Sequence, residues 1–114
     1  MNEHFEVYKE GWIKGDVEAV LSACAEDFVY DDPIDGRMDK AQFGAYFRDL
    51  SEGGLVVSEV IGEKTGDDEM VWCWWSSDNW EGAALAKVGP QGLHWQKVTY
   101  YAREPNMGPE RSST

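Results

Sequence analysis

Apolar residues recur at helical spacing along the first half of this chain and at strand spacing along the second. Phe5, Tyr8 and Trp12 stand at i, i+3 and i+7, with Val7 and Ile13 beside them and charged residues on most remaining positions, which predicts an amphipathic helix. Gly15 stops it, and Asp16 can cap a second helix with apolar positions Val17, Val20, Leu21 and Cys24. The segment Phe28-Val29-Tyr30-Asp31-Asp32-Pro33-Ile34-Asp35-Gly36 then breaks the period: an apolar run ends in two carboxylates, a proline and a turn glycine. Asp39-Lys40-Ala41-Gln42 is a capping-box variant that starts a third helix, with Phe43, Tyr46, Phe47 and Leu50 on one face and Gly53-Gly54 at its end. Beyond it the pattern predicts strands over Leu55–Lys64, Glu69–Ser77, Gly82–Val88 and Leu93–Arg103, with turns at Thr65–Asp68 and Gly89–Gly92. Helices first and strands afterwards is an α+β order. The expected architecture is a cone-shaped α+β barrel, three N-terminal helices packed on a curved, mainly antiparallel sheet with a cavity between them.

A chain of 114 residues makes one domain, expected over residues 1–103, with a mobile tail over 104–114 that lacks any apolar period. Six tryptophans in so short a chain point to an aromatic core or an aromatic-lined cavity. The net charge of −12 argues against nucleic acid and against anionic membranes, both of which need lysine and arginine, but not against a small neutral ligand. Cys24 and Cys73 read as two buried thiols in a reducing compartment, and the polar, acidic N-terminus does not read as a signal peptide, so a cytoplasmic protein is expected. His4 and His94 are far apart and form no metal-ligand pair, so neither a metal nor a cofactor is expected.

The chemistry concentrates around Asp32. Proline disfavours helical backbone in the residue before it, so Asp32 should be extended. Phe28, Tyr30 and Asp32 would then share one strand face, and Val29 and Asp31 the other. A carboxyl beside two aromatics loses water and holds its proton more tightly, which suits a general base. The competing reading is that Asp31 and Asp32 only open a polar turn.

The order and spacing of these motifs resemble the nuclear transport factor 2-like superfamily, which includes SnoaL-like and ketosteroid isomerase-like proteins. The resemblance rests on Trp12-Ile13-Lys14-Gly15-Asp16, on Tyr30-Asp31-Asp32-Pro33 followed by Gly36, on the helix from Ala41 to Leu50 and on the four-strand meander, over residues 3 to 103. In ketosteroid isomerases the proton-shuttling aspartate lies in a Glu-Asp-Pro segment, which Asp31-Asp32-Pro33 matches, so the resemblance gives that role to Asp32. Their oxyanion-stabilising tyrosine stands on the first helix eight residues before the aspartate of a Gly-Asp pair, which gives that role to Tyr8. Their second oxyanion donor falls on Ala84, so half of that hole is missing. By alternation and by the same resemblance, Trp95, Lys97, Thr99 and Tyr101 should face the cavity from the last strand, and Trp72, Trp74 and Ser76 from the third. Lys97 would then need a partner such as Asp32. Tyr30 should stand in the cavity wall. Cys73, Trp75 and Tyr100 should lie on the outer sheet face, where relatives of this fold commonly form homodimers, and His94 should face away from the cavity.

Two functions remain open at this stage. One is a small enzyme of the isomerase, cyclase or hydrolase kind, acting on a small hydrophobic molecule with Asp32 as base and Tyr8 as oxyanion donor. The other is a non-catalytic module that sequesters such a ligand or works through dimerisation.

Overall fold

The structure, a computed structural model, describes residues 3–53, 57–65 and 70–102. The expected tail from Glu104, together with residues 54–56 and 66–69, lies outside them. Helix α1 (Glu3–Lys14) buries Phe5 and Tyr8 and packs Trp12 against the core, as its spacing requires. Asp16 caps α2 (Val17–Ser22) by accepting from the Ala19 amide at 3.1 Å. Here one expectation fails: α2 ends at Ser22, and Cys24 opens strand β1 (Cys24–Asp32) instead of closing the helix, although its thiol still donates to the Val20 carbonyl oxygen. Strand β2 (Gly36–Asp39) returns antiparallel to β1 across the Pro33–Asp35 turn. Asp39 then starts α3 (Lys40–Glu52) with both arms of the capping box formed, each at 2.8 Å.

Strands β3 (Val57–Thr65), β4 (Met70–Ser77), β5 (Trp80–Gly89) and β6 (Gly92–Val98) form the meander. The sheet order is β2-β1-β6-β5-β4-β3, with every pair antiparallel except β1 and β6. A short β7 (Tyr101–Ala102) pairs with β5 beyond the end of β6. Among the described residues the sheet is therefore open, with β2 and β3 as its edges, where a barrel was expected.

The core is an aromatic stack between α1, α3 and β1. Phe43 lies 4.7 Å from the Tyr30 ring and 5.1 Å from Phe28, and Trp12 meets Phe47 edge-on at 4.5 Å. Phe28, Tyr30 and Asp32 are all buried while Val29 and Asp31 are half-buried, so the face assignment for β1 holds. Fully burying a side chain such as Phe28 or Phe43 contributes roughly 1.5–3 kcal/mol, which is why α3 docks on this face of β1.

The face assignments for β4 and β6 do not hold, for two different reasons. On β4, Val71, Cys73 and Ser77 are buried while Trp72 is 40% exposed. Cys73 is paired with Ala84 and Val71 with Ala86, both buried; Trp72 is paired with Leu85 and Trp74 with Ala83 on the other face. Trp72 and Trp74 thus stand outside, and Trp75 inside. On β6 the cause is a bulge. One step on β5, from Val88 to Lys87, matches two steps on β6, from Leu93 to Trp95, so His94 is an extra residue. Leu93 is buried before the bulge, and Gln96 and Val98 are buried after it. Trp95, Lys97, Thr99 and Tyr101 are thereby turned away from the cavity: the Lys97 side chain is 68% exposed and 4.0 Å from Asp31. His94 itself lies against Asp27, Nδ1 to Oδ1 2.8 Å, on the outside of the β1–β6 seam.

Gly82 lets the chain between β6 and β7 close over β5. The Thr99 amide donates to the Ala83 carbonyl oxygen at 2.8 Å, and a Cβ on residue 82 would collide with the Thr99 carbonyl oxygen and lie 2.6 Å from the Tyr100 Cα. Gly82→Ala is therefore expected to cost about 2 kcal/mol or more in urea unfolding, because backbone and not a flexible side chain must move. A loss within the error of the measurement would show that this crossing tolerates a methyl group.

Candidate functional site

A cavity of about 270 Å³ lies between α1, α3 and the inner sheet face. Phe5, Tyr8 and Trp12 line it from α1, Tyr30 and Asp32 from β1, Cys73 and Trp75 from β4, and Gln96 and Val98 from β6. Tyr46 from α3 and Tyr100 from the β6–β7 crossing add to the wall, Lys9 and Asp35 bring further charges to it, and the exposed Ile34 stands at the mouth.

Asp32 is 2% exposed and accepts four hydrogen bonds. Its Oδ1 takes the Ile34 and Asp35 amides, both at 2.8 Å, and the Tyr100 hydroxyl at 2.9 Å. Its Oδ2 takes the Tyr46 hydroxyl at 3.0 Å. The two readings of Asp32 from sequence meet in one residue: Oδ1 organises the Pro33–Asp35 turn, while the same carboxyl lines the cavity. A carboxylate oxygen carries two lone-pair positions, so Oδ2 keeps one that no described residue uses.

The surrounding phenols are held as donors. Burial raises the Tyr46 hydroxyl far above its usual range, with Tyr30, Asp32 and a hydrogen bond to Asp32 adding to the effect. Burial likewise raises Tyr100, and the bond to Asp32 adds to it. Tyr30, 4% exposed, is raised by burial first and by the Asp32 charge second. Tyr8 is raised mainly by burial, and its hydroxyl donates to Gln96 Oε1.

Of the residues expected at the site, the fold brings together Asp32, Tyr8 and Tyr30 and leaves out Trp72, Trp74, Trp95, Lys97 and Tyr101. Cys73, Trp75 and Tyr100, expected on the outer face, line the cavity, the Trp75 and Tyr100 rings edge to face at 5.8 Å. Lys97 pairs with Asp31 and not with Asp32, because the bulge points it to solvent. Gln96 and Tyr46 were missed. Tyr46 could have been found, since a tyrosine on the buried stripe of α3 carries a hydroxyl that needs a partner. Gln96 could not be found before the bulge was known. Among the described residues no cluster of His, Cys, Asp and Glu could hold a metal, and no helix is long and apolar enough to cross a membrane.

The family model of the SnoaL-like domain matches residues 5–98. No curated protein matches the chain significantly. Solved structures share the fold at low identity. A SnoaL-like protein of unknown function from Burkholderia thailandensis superposes with a TM-score of 0.70 at 21% identity, covering 89% of this chain and 98% of its own. A candidate polyketide cyclase from Xanthomonas campestris pv. campestris gives 0.71 at 17% identity, covering 88% and 87%. A protein of unknown function with a cystatin-like fold from Methylobium petroleophilum gives 0.69 at 12% identity, covering 91% and 77%.

The cavity thiol provides a test of burial. Burial pushes Cys73 from an ordinary 9.0 up to about 11, and Cys24 up to about 12. Above pH 9 the unfolded chain ionises these thiols while the folded chain keeps their protons. The stability they contribute is complete below pH 9 and lost as pH rises toward 11 for Cys73 and 12 for Cys24. Urea unfolding followed from below pH 9 to about pH 11 should therefore show a steeper loss for wild type than for Cys73→Ala. Parallel curves would mean that Cys73 is open to water.

Proposed function

The chain belongs to the SnoaL-like domain family, and on that premise we propose that its cavity binds a small, neutral, mostly apolar molecule and that Asp32 acts on it as a general base. The observation that carries this reading is the free Oδ2 lone pair of a buried carboxylate in the wall of an aromatic cavity. The turn amides, Tyr46 and Tyr100 hold that carboxylate in place without help from solvent, which is what a base needs to meet a C–H bond at a fixed distance. For a ligand with a proton next to a carbonyl, the C–H bond breaks, the proton passes to Oδ2 and the electron pair moves to the carbonyl oxygen as an enolate; return of a proton from Asp32 completes an isomerisation or an exchange. Tyr8 stands one step back from the ligand, with its hydroxyl committed to Gln96. Among solved structures of this fold, the one from Xanthomonas campestris pv. campestris is named a candidate polyketide cyclase and one from Bacillus subtilis, 14% identical, a candidate isomerase, names compatible with this reading.

A second reading, self-association, draws on the outer face of β4, β5 and β6. Trp72 is 40% exposed there, beside Trp74, Leu85 and Trp95, and Lys87 and Lys97 on this face offset the acidity of a chain of net charge −12. A homodimer through this face is compatible with a catalytic or a merely sequestering cavity.

Two measurements follow. In D₂O, wild type should accelerate loss of the α-proton NMR signal of 1-tetralone, and Asp32→Asn should lose roughly 10²-fold of that acceleration while still binding the hydrocarbon tetralin. Exchange by the variant at the wild-type rate would remove Asp32 as the base. In sedimentation equilibrium, wild type should be a dimer at micromolar concentration and Trp72→Glu a monomer; a monomeric wild type rules out this interface.

A further inference from the structure

Besides the indole N–H groups of Trp12 and Trp75, two donors on buried residues of the cavity wall have no acceptor among the described residues. Gln96 is 6% exposed, and Tyr8 donates to its Oε1, which leaves the Nε2 amide facing away from Tyr8. That amide forms no hydrogen bond among the described residues, nor does the hydroxyl of Tyr30, 4% exposed. The two residues are Cα partners in the parallel β1–β6 pair, so their side chains leave the sheet on the same face from neighbouring strands, about 5 Å apart. Both line the cavity, and Asp32 follows Tyr30 two residues along the same face of β1.

We infer that the Gln96 amide and the Tyr30 hydroxyl form a paired donor site for one uncharged carbonyl oxygen of the ligand, next to Asp32. The inference rests on the cavity being a ligand site and adds to it the ligand's polar end and the residues that read it. The oxygen must be an acceptor, because both groups offer hydrogens. It is uncharged, because the Asp32 and Asp35 carboxylates line the same cavity and repel an anion, while Lys9, the cation in the lining, is already paired with Glu6 at 3.0 Å. Ketones, esters and quinones meet these conditions; carboxylic acids and phosphates do not. Tyr30 stays a donor because burial and the Asp32 charge keep its hydroxyl protonated. Tyr8 serves as a positioning residue: its bond to Oε1 turns the amide so that N–H and not C=O meets the ligand. The Trp12 and Trp75 indole N–H groups are also without hydrogen bonds among the described residues, but both are covered on all sides and do not reach the cavity surface.

The test compares three bicyclic probes of nearly equal shape, 1-tetralone, 1-tetralol and tetralin, by quenching of the cavity tryptophans and, for tetralone, by the infrared C=O stretch of the bound molecule. Wild type should bind tetralone roughly tenfold more tightly than tetralin, with the carbonyl stretch moved to lower wavenumber. Tyr30→Phe and Gln96→Met should each lose most of that preference and part of the shift, while tetralin affinity stays as in wild type. Tyr8→Phe should keep tetralone binding but relax the preference for tetralone over tetralol. If Gln96→Met does not fold, wild type and Tyr30→Phe suffice. Equal binding of tetralone and tetralin without an infrared shift overturns the donor site while leaving the cavity reading intact. A wild-type preference for tetralol overturns it too, since the amide would then present its oxygen. Failure of all three probes to bind defeats the cavity reading and this inference with it.

Discussion

The site depends on one buried charge. Asp32 sits at the end of β1, 2% exposed, and its charge is tolerable there because four donors converge on it. They come from three places: the turn that follows it, helix α3 and the chain segment after β6. Each of these is therefore tied to the position of one carboxyl group. The dependence runs both ways, since the charge of Asp32 helps keep Tyr46, Tyr100 and Tyr30 protonated and so able to donate. An apolar cavity wall with a fixed charge at one end and neutral donors along one side is the outcome.

How much of this was legible in the sequence follows from how local each determinant is. The capping box at Asp39 and Gln42 needs only four residues and is formed as read. The buried face of β1 was legible because Pro33 forces Asp32 to be extended and the alternation from Phe28 does the rest. Strand β4 was not, because tryptophans occupy both of its faces and hydrophobicity alone cannot choose between them, nor can its neighbour β5, which sets alanine beside Trp74 on one face and beside Cys73 and Val71 on the other. Strand β6 misled for a sharper reason. Leu93 does face the core, and simple alternation from it selects Trp95, Lys97 and Tyr101, but the extra residue at His94 exchanges the two faces for the rest of the strand. That single insertion puts Gln96 and Tyr100 into the cavity and Lys97 into solvent.

The fold and the chemistry are thus set by different parts of the chain. Helix spacing, caps and the meander suffice to specify an architecture shared with relatives at 21% identity or less. The polar end of the cavity is made by a few side chains whose direction depends on a bulge, a turn and a glycine crossing, none of which affects the overall topology.

The parallel seam between β1 and β6 also bears on when the site comes into being. Tyr30 and Gln96 touch neighbouring positions of the sheet but are separated by most of the chain. Of the strand pairs, this one closes the longest loop and so carries the largest closure entropy. During synthesis the helices, β1 and much of the meander emerge before β6 exists, and the carboxyl of Asp32 must then wait in water without Tyr100. Until β6 and the crossing after it are made, the cavity lacks the wall that Gln96, Val98 and Tyr100 supply, so its enclosure is among the last features the chain can complete.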